Sequence, residues 1–232
     1  MIISINQPAY LPWLGYFERI AMSDLHIVLD HVQFEKGSFT NRNKVRTGDD
    51  AAWLTVPLAT KGRFGDLAIH TSEIASDAWR KSHWATIRQN YARAPFFGRY
   101  APAYERLYAQ AWPRLAPMLR AFLEQQLRDF GITTPIRYSS DMTVSGRKSD
   151  LVLELCRATH AETYLSGPLG RDYLEVDQFS AMGISVRYHD FVHPEYVQTR
   201  PGFVSHLAAL DLLFNHGPAS REILLSQAAI AA

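Results

Sequence analysis

The first 30 residues constrain the fold most, because they predict a strand, a loop, a helix and a second strand in close succession. Residues 1–5 (Met-Ile-Ile-Ser-Ile) form an apolar, β-branched run that is typical of a buried strand. From Leu14 apolar residues recur at helical spacing, and residues 25–30 (Leu-His-Ile-Val-Leu-Asp) are again strand-like. Strand, helix and strand in this order form a βαβ unit with parallel strands. The chain is therefore predicted to be an α/β protein with a Rossmann-like, mainly parallel sheet.

A polar and aromatic loop follows the first predicted strand. It runs from Asn6 to Trp13 and contains Pro8 and Pro12, which exclude both a continuing strand and a regular helix. In open α/β sheets, ligands bind outside the carboxyl ends of the strands. We therefore predict substrate contacts in this loop. The predicted ligands are Asn6, Gln7, Tyr10 and Trp13.

Polar residues also follow the second predicted strand and would face the same crevice. Asp30 ends that strand, and the aperiodic stretch 34–43 is crowded with hydrogen-bonding side chains. A well-satisfied surface loop is the alternative interpretation. We favour a site, with Asp30 as a catalytic residue that takes a proton. The predicted substrate ligands in this stretch are Gln33, Asn41, Arg42 and Asn43.

These residues resemble the signature of a known family, the WbqC-like proteins. The similar segments are Asn-Gln-Pro-x-Tyr-Leu-Pro-Trp-x-Gly-Tyr-Phe at 6–17, Val-Gln-Phe-x-Lys at 32–36, Asn-Arg-Asn at 41–43, Tyr-Leu-Ser-Gly-Pro at 164–168, Gly-Arg-x-Tyr-Leu at 170–174, His-Pro-Glu-Tyr at 193–196 and 210–217. The resemblance covers essentially the whole chain. It implies a bacterial protein, often encoded among O-antigen and other surface-polysaccharide genes, with a role in attaching glycine or another acyl group to a sugar.

Composition bounds the class of protein. The chain has 232 residues, of which 47% are hydrophobic and 20% charged, as in an ordinary globular protein with a sizeable core. A net charge of +1 argues against a protein that lives on nucleic acid or an anionic membrane. The single cysteine, Cys156, excludes an intrachain disulfide and lies among leucines, so we expect a buried residue rather than a nucleophile. Without a signal peptide or a long apolar run, we expect a cytoplasmic protein with no membrane insertion.

We predict one domain over residues 1–232, with a helical insertion at about 77–131 beside the sheet. Asp77 is expected to cap the first inserted helix, Pro102 to lie in the first turn of the second, and Gly131 to end the last. Two strands are predicted before the insertion, at 53–58 and 67–70. Further strands are predicted after it, at 136–141, 163–166 and 184–189, with a helix at 151–160.

The loop at Gly167 parallels the loop at Gln7, so both are expected at the same edge of the parallel sheet. Glycines next to Arg171 at such an edge suit an anion, and we expect phosphate. A second glycine-rich basic turn, at 61–65, is either a phosphate ligand or a solvated turn. The remaining predicted substrate ligands are Lys61, Lys148, Ser166, Gly167, Arg171 and Tyr173.

Two histidines near the last predicted strand, His189 and His193, are candidate catalytic bases, because an imidazole takes a proton from an attacking amine near neutral pH. A histidine held in a structured loop is the alternative. A metal site is a third interpretation, but Pro194 prevents the regular helix that usually presents such ligands, and we predict no metal.

The leading functional hypothesis follows mostly from the resemblance. It is transfer of an aminoacyl or acyl group to an amino sugar, nucleotide-linked, for surface polysaccharide. The donor is left open between a free amino acid with ATP and magnesium, a thioester on an acyl carrier, and a charged transfer RNA. The alternatives are nucleotidyl transfer to a small acid or phosphate, and non-catalytic binding of a nucleotide sugar. The first alternative rests on a distant resemblance to nucleotidylyltransferases, but the first loop lacks their paired histidines.

Overall fold

The computed structural model describes residues 1–63 and 65–228, and it has seven strands within those residues. They are β1 (Ile2–Asn6), β2 (Leu25–Val28), β3 (Arg42–Thr47), β4 (Asp50–Thr55), β5 (Ile136–Tyr138), β6 (Thr163–Ser166) and β7 (Ser185–Tyr188). Five of them form one sheet in the order β5-β2-β1-β6-β7, and every neighbouring pair is parallel. The predicted α/β fold with a parallel sheet is confirmed.

The order of the strands places a topological switch point beside β1. The chain builds outward from β1 to β2 and β5, then returns to the other side of β1 with β6 and β7. The carboxyl ends of β1 and β6, at Asn6 and Ser166, therefore lie next to each other at the same edge of the sheet. This is where open α/β sheets bind their ligands.

Eight helices are present in the described residues. They are α1 (Leu14–Ala21), α2 (Ala78–Tyr91), α3 (Phe97–Ala109), α4 (Leu115–Phe130), α5 (Lys148–Ala158), α6 (Val176–Ala181), α7 (Leu210–His216) and α8 (Ser220–Leu225). One face of the sheet, with Ile3, Ile5 and Ile27, packs with apolar residues of α5 and α6 in one buried cluster. A larger cluster contains residues of α1, the inserted helices and α7. Within the part of the chain described, no helix is both long and apolar enough to cross a membrane.

The helical insertion is confirmed as α2–α4, although two details differ from the prediction. Gly131 ends α4 in the left-handed conformation, at φ +64°, as expected. Asp77 precedes α2 but its side chain makes no capping hydrogen bond. Pro102 lies inside α3 rather than in its first turn.

The strands predicted between β2 and the insertion are arranged differently from the expectation. The predicted strand at 53–58 corresponds to β4, which ends at Thr55 before Pro57 and pairs with β3 in a separate antiparallel hairpin. Gly48, at φ +61°, provides the left-handed position in the turn of that hairpin. The predicted strand at 67–70 is wrong, because residues Ile69–Thr71 form a 3₁₀ turn.

A polar layer is buried between α1 and the sheet. The Nδ1 atom of His26 in β2 lies 2.8 Å from the Ser4 hydroxyl, which accepts a hydrogen bond from Ser23. His26 is fully buried and its Nε2 has no hydrogen-bond partner. Burial, reinforced by the nearby Arg19 cation, lowers the pKa of His26 to about 3. The imidazole is therefore neutral in the folded protein over the whole physiological range.

We expect this histidine to make the fold acid-sensitive. Its pKa is about 6.5 in the unfolded chain, so between pH 6.5 and 3 the imidazole is protonated in the unfolded state but not in the folded state. The free energy of unfolding therefore falls as the pH falls. The expected loss is about 2.5 kcal/mol between pH 6.5 and 4.5. In His26→Phe that part of the pH dependence should vanish. Urea unfolding of both proteins at pH 7.0 and 4.5 measures the difference.

The variant His160→Asn serves as a control, since His160 is exposed at the end of α5 and should keep the wild-type pH dependence. A His26→Phe protein that loses as much stability as the wild type on acidification would contradict a buried neutral imidazole. The missing hydrogen bond to Ser4 lowers the free energy of unfolding of the variant equally at both pH values. It therefore does not affect the comparison of how much stability each protein loses between them.

Candidate functional site

A cleft of about 740 Å³ opens at the switch point. Its walls include Asn6 and Ser166, the last residues of β1 and β6, then Gln7 and Gly167, which follow them, and His189 directly after β7. The two predicted loops, at Gln7 and Gly167, therefore do meet at one edge of the sheet. The reason is topological, since β1 and β6 are adjacent and parallel although they are far apart in sequence.

The cleft brings together seven of the residues that the sequence analysis singled out. They are Asn6, Gln7, Trp13, Ser166, Gly167, Tyr173 and His189. Their roles as ligands or as a base stay predictions, but all seven residues line the same cleft.

A buried arginine is the most unusual feature of the cleft. Arg19 lines it, is only 5% exposed, and forms no ion pair with any carboxylate in the described residues. Its Nε atom is buried without a hydrogen-bond partner. Burial lowers the pKa of the guanidinium, an effect that the nearby phenol of Tyr164 partly offsets. An unpaired cation at this depth is costly to the fold.

Gly167, directly after β6, makes room for this arginine. A Cβ atom at Gly167 would overlap with Nη1 of Arg19, although the backbone of Gly167 has an ordinary negative φ of −72°. A Cβ atom at Gly170 would likewise overlap with the Ser166 hydroxyl. The missing Cβ at Gly167 leaves space, rather than an unusual backbone conformation, and the guanidinium occupies that space.

A second buried group faces the cleft beside Arg19. The Nε2 atom of His189 lies 2.6 Å from Oε2 of Glu18, and the two side chains are 6% and 3% exposed. When Nε2 carries the hydrogen it donates to the carboxylate, and Nδ1 is left with a free lone pair. The backbone N–H of His189 donates to the Ser166 carbonyl and fixes the ring beside the end of β6. This arrangement suits a base that accepts a proton.

Exposed apolar side chains line part of the cleft, together with the carboxylates of Glu35 and of Asp190, which is paired with Arg171. Leu169, Val192 and Phe39 are 74%, 58% and 42% exposed, and all three line the opening. Trp13 packs against Phe39 with ring centroids 5.2 Å apart. The buried cation and the exposed apolar side chains together suit a ligand that carries both an anionic group and an apolar or aromatic part.

Comparison with known proteins gives a family. The model of the WbqC-like protein family matches residues 7–223. The chain belongs to the WbqC-like protein family. It is also 33% identical over 224 residues to the uncharacterized protein Rv1507c of Mycobacterium tuberculosis (strain ATCC 25618 / H37Rv), with 96% of each chain covered. No solved structure matches the chain.

Two residues that were predicted to act on substrate, Asp30 and Tyr10, make buried hydrogen bonds outside the cleft of this WbqC-like protein, and their roles on substrate stay predictions. Asp30, 4% exposed, accepts hydrogen bonds from Ser139 and from both the N–H and the hydroxyl of Ser140, at 2.8–3.1 Å. Tyr10 is fully buried, and its hydroxyl bonds to His83 and Tyr108. Neither lines the cleft. Both side chains join parts of the chain that are far apart in sequence.

The other predicted residues of this WbqC-like protein also lie outside the cleft. Arg171 is paired with Asp190 through two hydrogen bonds of 2.9 Å, and Asn43 donates to the Leu11 carbonyl. His193 contacts His206 and its Nδ1 lies 2.8 Å from the Pro194 carbonyl. Lys61 lies in an exposed turn and Lys148 is the exposed first residue of α5. Gln33, Asn41 and Arg42 line a second, smaller pocket.

The sequence analysis of this WbqC-like chain missed Glu18 and Arg19. Both stand between the apolar positions of the predicted helix, where a solvated face is expected. In the structure every residue of 14–20 is buried, because α1 is covered on all sides. The period of a single helix carries no signal for such burial. Gly167 is a signal for a buried side chain only once the fold shows that Arg19 lies against it.

We expect Arg19→Met to stabilise the protein while it abolishes anion binding in the cleft. Methionine fills a similar volume without a buried unpaired charge, so the free energy of unfolding should rise by about 1–4 kcal/mol. The melting temperature should rise by about 2–4 °C for each kcal/mol. Thermal unfolding with and without added pyrophosphate measures both effects, since the anion should raise the melting temperature of the wild type by more than that of the variant, which lacks the cation in the cleft.

Arg88→Met is the matched control, because Arg88 is exposed on α2 and its loss should change stability by no more than about 0.5 kcal/mol. An Arg19→Met protein that is clearly less stable than the wild type would contradict the view that this cation is kept for binding.

Proposed function

We propose that this protein transfers an aminoacyl or acyl group to an amino sugar, linked to a nucleotide, in the cleft at the switch point. The observation that carries the proposal is the unpaired Arg19 cation in the same cleft as the His189–Glu18 pair. An anion site next to a proton acceptor suits an acceptor substrate with phosphate groups and an amine. The resemblance to WbqC-like proteins supports the choice of surface polysaccharide as the product.

Binding of the substrate begins with Arg19. Its guanidinium fork matches two oxygens of a phosphate, and the phosphate supplies the counter-charge that the folded chain lacks. Asn6 and Gln7, at the end of β1, provide amide groups beside the same opening for hydroxyls of the sugar. Leu169, Val192 and Phe39 offer exposed apolar surface to the less polar part of the substrate.

The chemical step is attack of the sugar amine on the carbonyl carbon of the donor. The N–C bond forms as Nδ1 of His189 takes the proton from the amine, and Glu18 stabilises the imidazolium that results. The bond from the carbonyl carbon to the leaving oxygen or sulfur then breaks. The leaving group departs with the electron pair and receives the proton back from His189.

The test separates binding from transfer. A thermal-shift screen with nucleotide sugars identifies the acceptor, and mass spectrometry of the product with each class of donor measures transfer. His189→Asn should bind the acceptor with nearly wild-type affinity and lose about 10²–10⁴-fold in rate. Arg19→Met should lose binding itself. His160→Asn, an exposed substitution of the same kind, should change neither.

Three outcomes would count against the proposal. Unimpaired transfer by His189→Asn would remove the histidine from the reaction. Binding of nucleotide sugars without transfer from any donor class would favour the non-catalytic alternative. Release of pyrophosphate from ATP and magnesium, with no acylated sugar, would favour nucleotidyl transfer.

A further inference from the structure

A second pocket of about 340 Å³ lies on the other side of residues 33–42 from the cleft. Those residues wall both spaces, since Phe39 and Thr40 line the cleft whereas Asn41 and Arg42 line the second pocket. We call this space the cationic pocket. The lining residues that the structure describes include Lys36, Arg42 and Arg63 and no carboxylate.

The positive charge of this pocket is held in place but not neutralised. Arg42 donates from Nη2 to the Gly37 carbonyl at 2.7 Å, and its guanidinium carbon lies 4.3 Å from the centre of the Trp53 ring. Its Nε atom is buried without a partner. Among the described residues none of the three cations forms an ion pair with a carboxylate. Three unpaired cations around one cavity attract an anion of high charge.

The floor of the pocket is apolar and braced by hydrogen bonds. Its apolar lining residues are Phe34, Val56, Pro57, Leu58 and Leu67. Main-chain bonds from Phe34 to Leu67 and from Val56 to Asn41, at 2.7 and 2.8 Å, join the three segments that form it. Asn41 is buried and its amide donates to the Val56 carbonyl. The cavity is therefore formed before any ligand arrives.

We infer that the cationic pocket binds a phosphorylated small molecule with an apolar or aromatic body of about the size of a nucleotide. The cations at the rim bind the phosphate groups, and the apolar floor accepts the base or another flat, apolar part. The volume lies within the usual range for small-molecule sites. The pocket shares no lining residue with the cleft, so this inference does not depend on the proposed transfer reaction.

Calorimetric titration of the whole protein with ATP, adenosine and inorganic phosphate tests the inference. ATP should bind more than tenfold more tightly than phosphate or adenosine alone, because only ATP meets both parts of the pocket. Lys36→Glu and Arg63→Glu, both at exposed positions, should each weaken ATP binding about tenfold, and the double variant further. Lys81→Glu, on the exposed side of α2, makes the same charge change elsewhere and should leave the affinity unchanged.

The Arg19→Met variant distinguishes this site from the cleft. It should bind ATP in the cationic pocket as the wild type does, even if the proposed transferase activity fails in every assay. The inference is overturned if the double variant binds ATP normally, if ATP binding is lost in Arg19→Met instead, or if the wild type binds no ATP at millimolar concentration. Equal affinities for phosphate and ATP would overturn the role of the apolar floor.

Discussion

The buried hydrogen bond between Glu18 and His189 joins the first helix to the end of the last strand of the sheet, across 171 residues of sequence. It holds the imidazole, which lines the cleft, while the backbone N–H of His189 donates to the Ser166 carbonyl at the end of β6. Loss of one partner leaves the other polar group buried without compensation, which typically costs about 3–5 kcal/mol for a charged group. The position of the His189 ring in the cleft therefore depends on this contact.

Arg19 presents the opposite case, since it weakens the fold that contains it. A chain selected for stability alone would place an apolar side chain at this position, because the helix around it is buried on every side. The glycines at 167 and 170 add to the cost, because each leaves out a side chain in order to admit a neighbour. Residues that destabilise a fold and converge on one cavity are most simply explained by a ligand that compensates them.

The sequence was informative where the signals are local. The structure agrees with the predictions made from the β-branched run of β1, the prolines after Asn6 and the glycine that ends α4. Each of these signals affects only the backbone conformation of the residues next to it. Asp30 and Tyr10 looked like ligands because they are polar residues near strand ends, but their partners, Ser139 and Tyr108, come from segments about 100 residues away. Glu18 and Arg19 were missed for the same reason. Which face of a helix meets another element is decided by tertiary packing, which a periodic pattern does not encode.

The central position of β1 also determines how late in synthesis the sheet can be completed. Its β2 edge is paired by residues that follow almost at once, but its other edge waits for β6, where Ile2 pairs with Thr163. During synthesis the ribosome must release more than two-thirds of the chain before that apolar edge is covered. Parallel pairing over such distances slows folding and leaves strand edges open to other chains meanwhile. The N-terminal segments with the clearest sequence signature are thus the ones that depend longest on protection from aggregation.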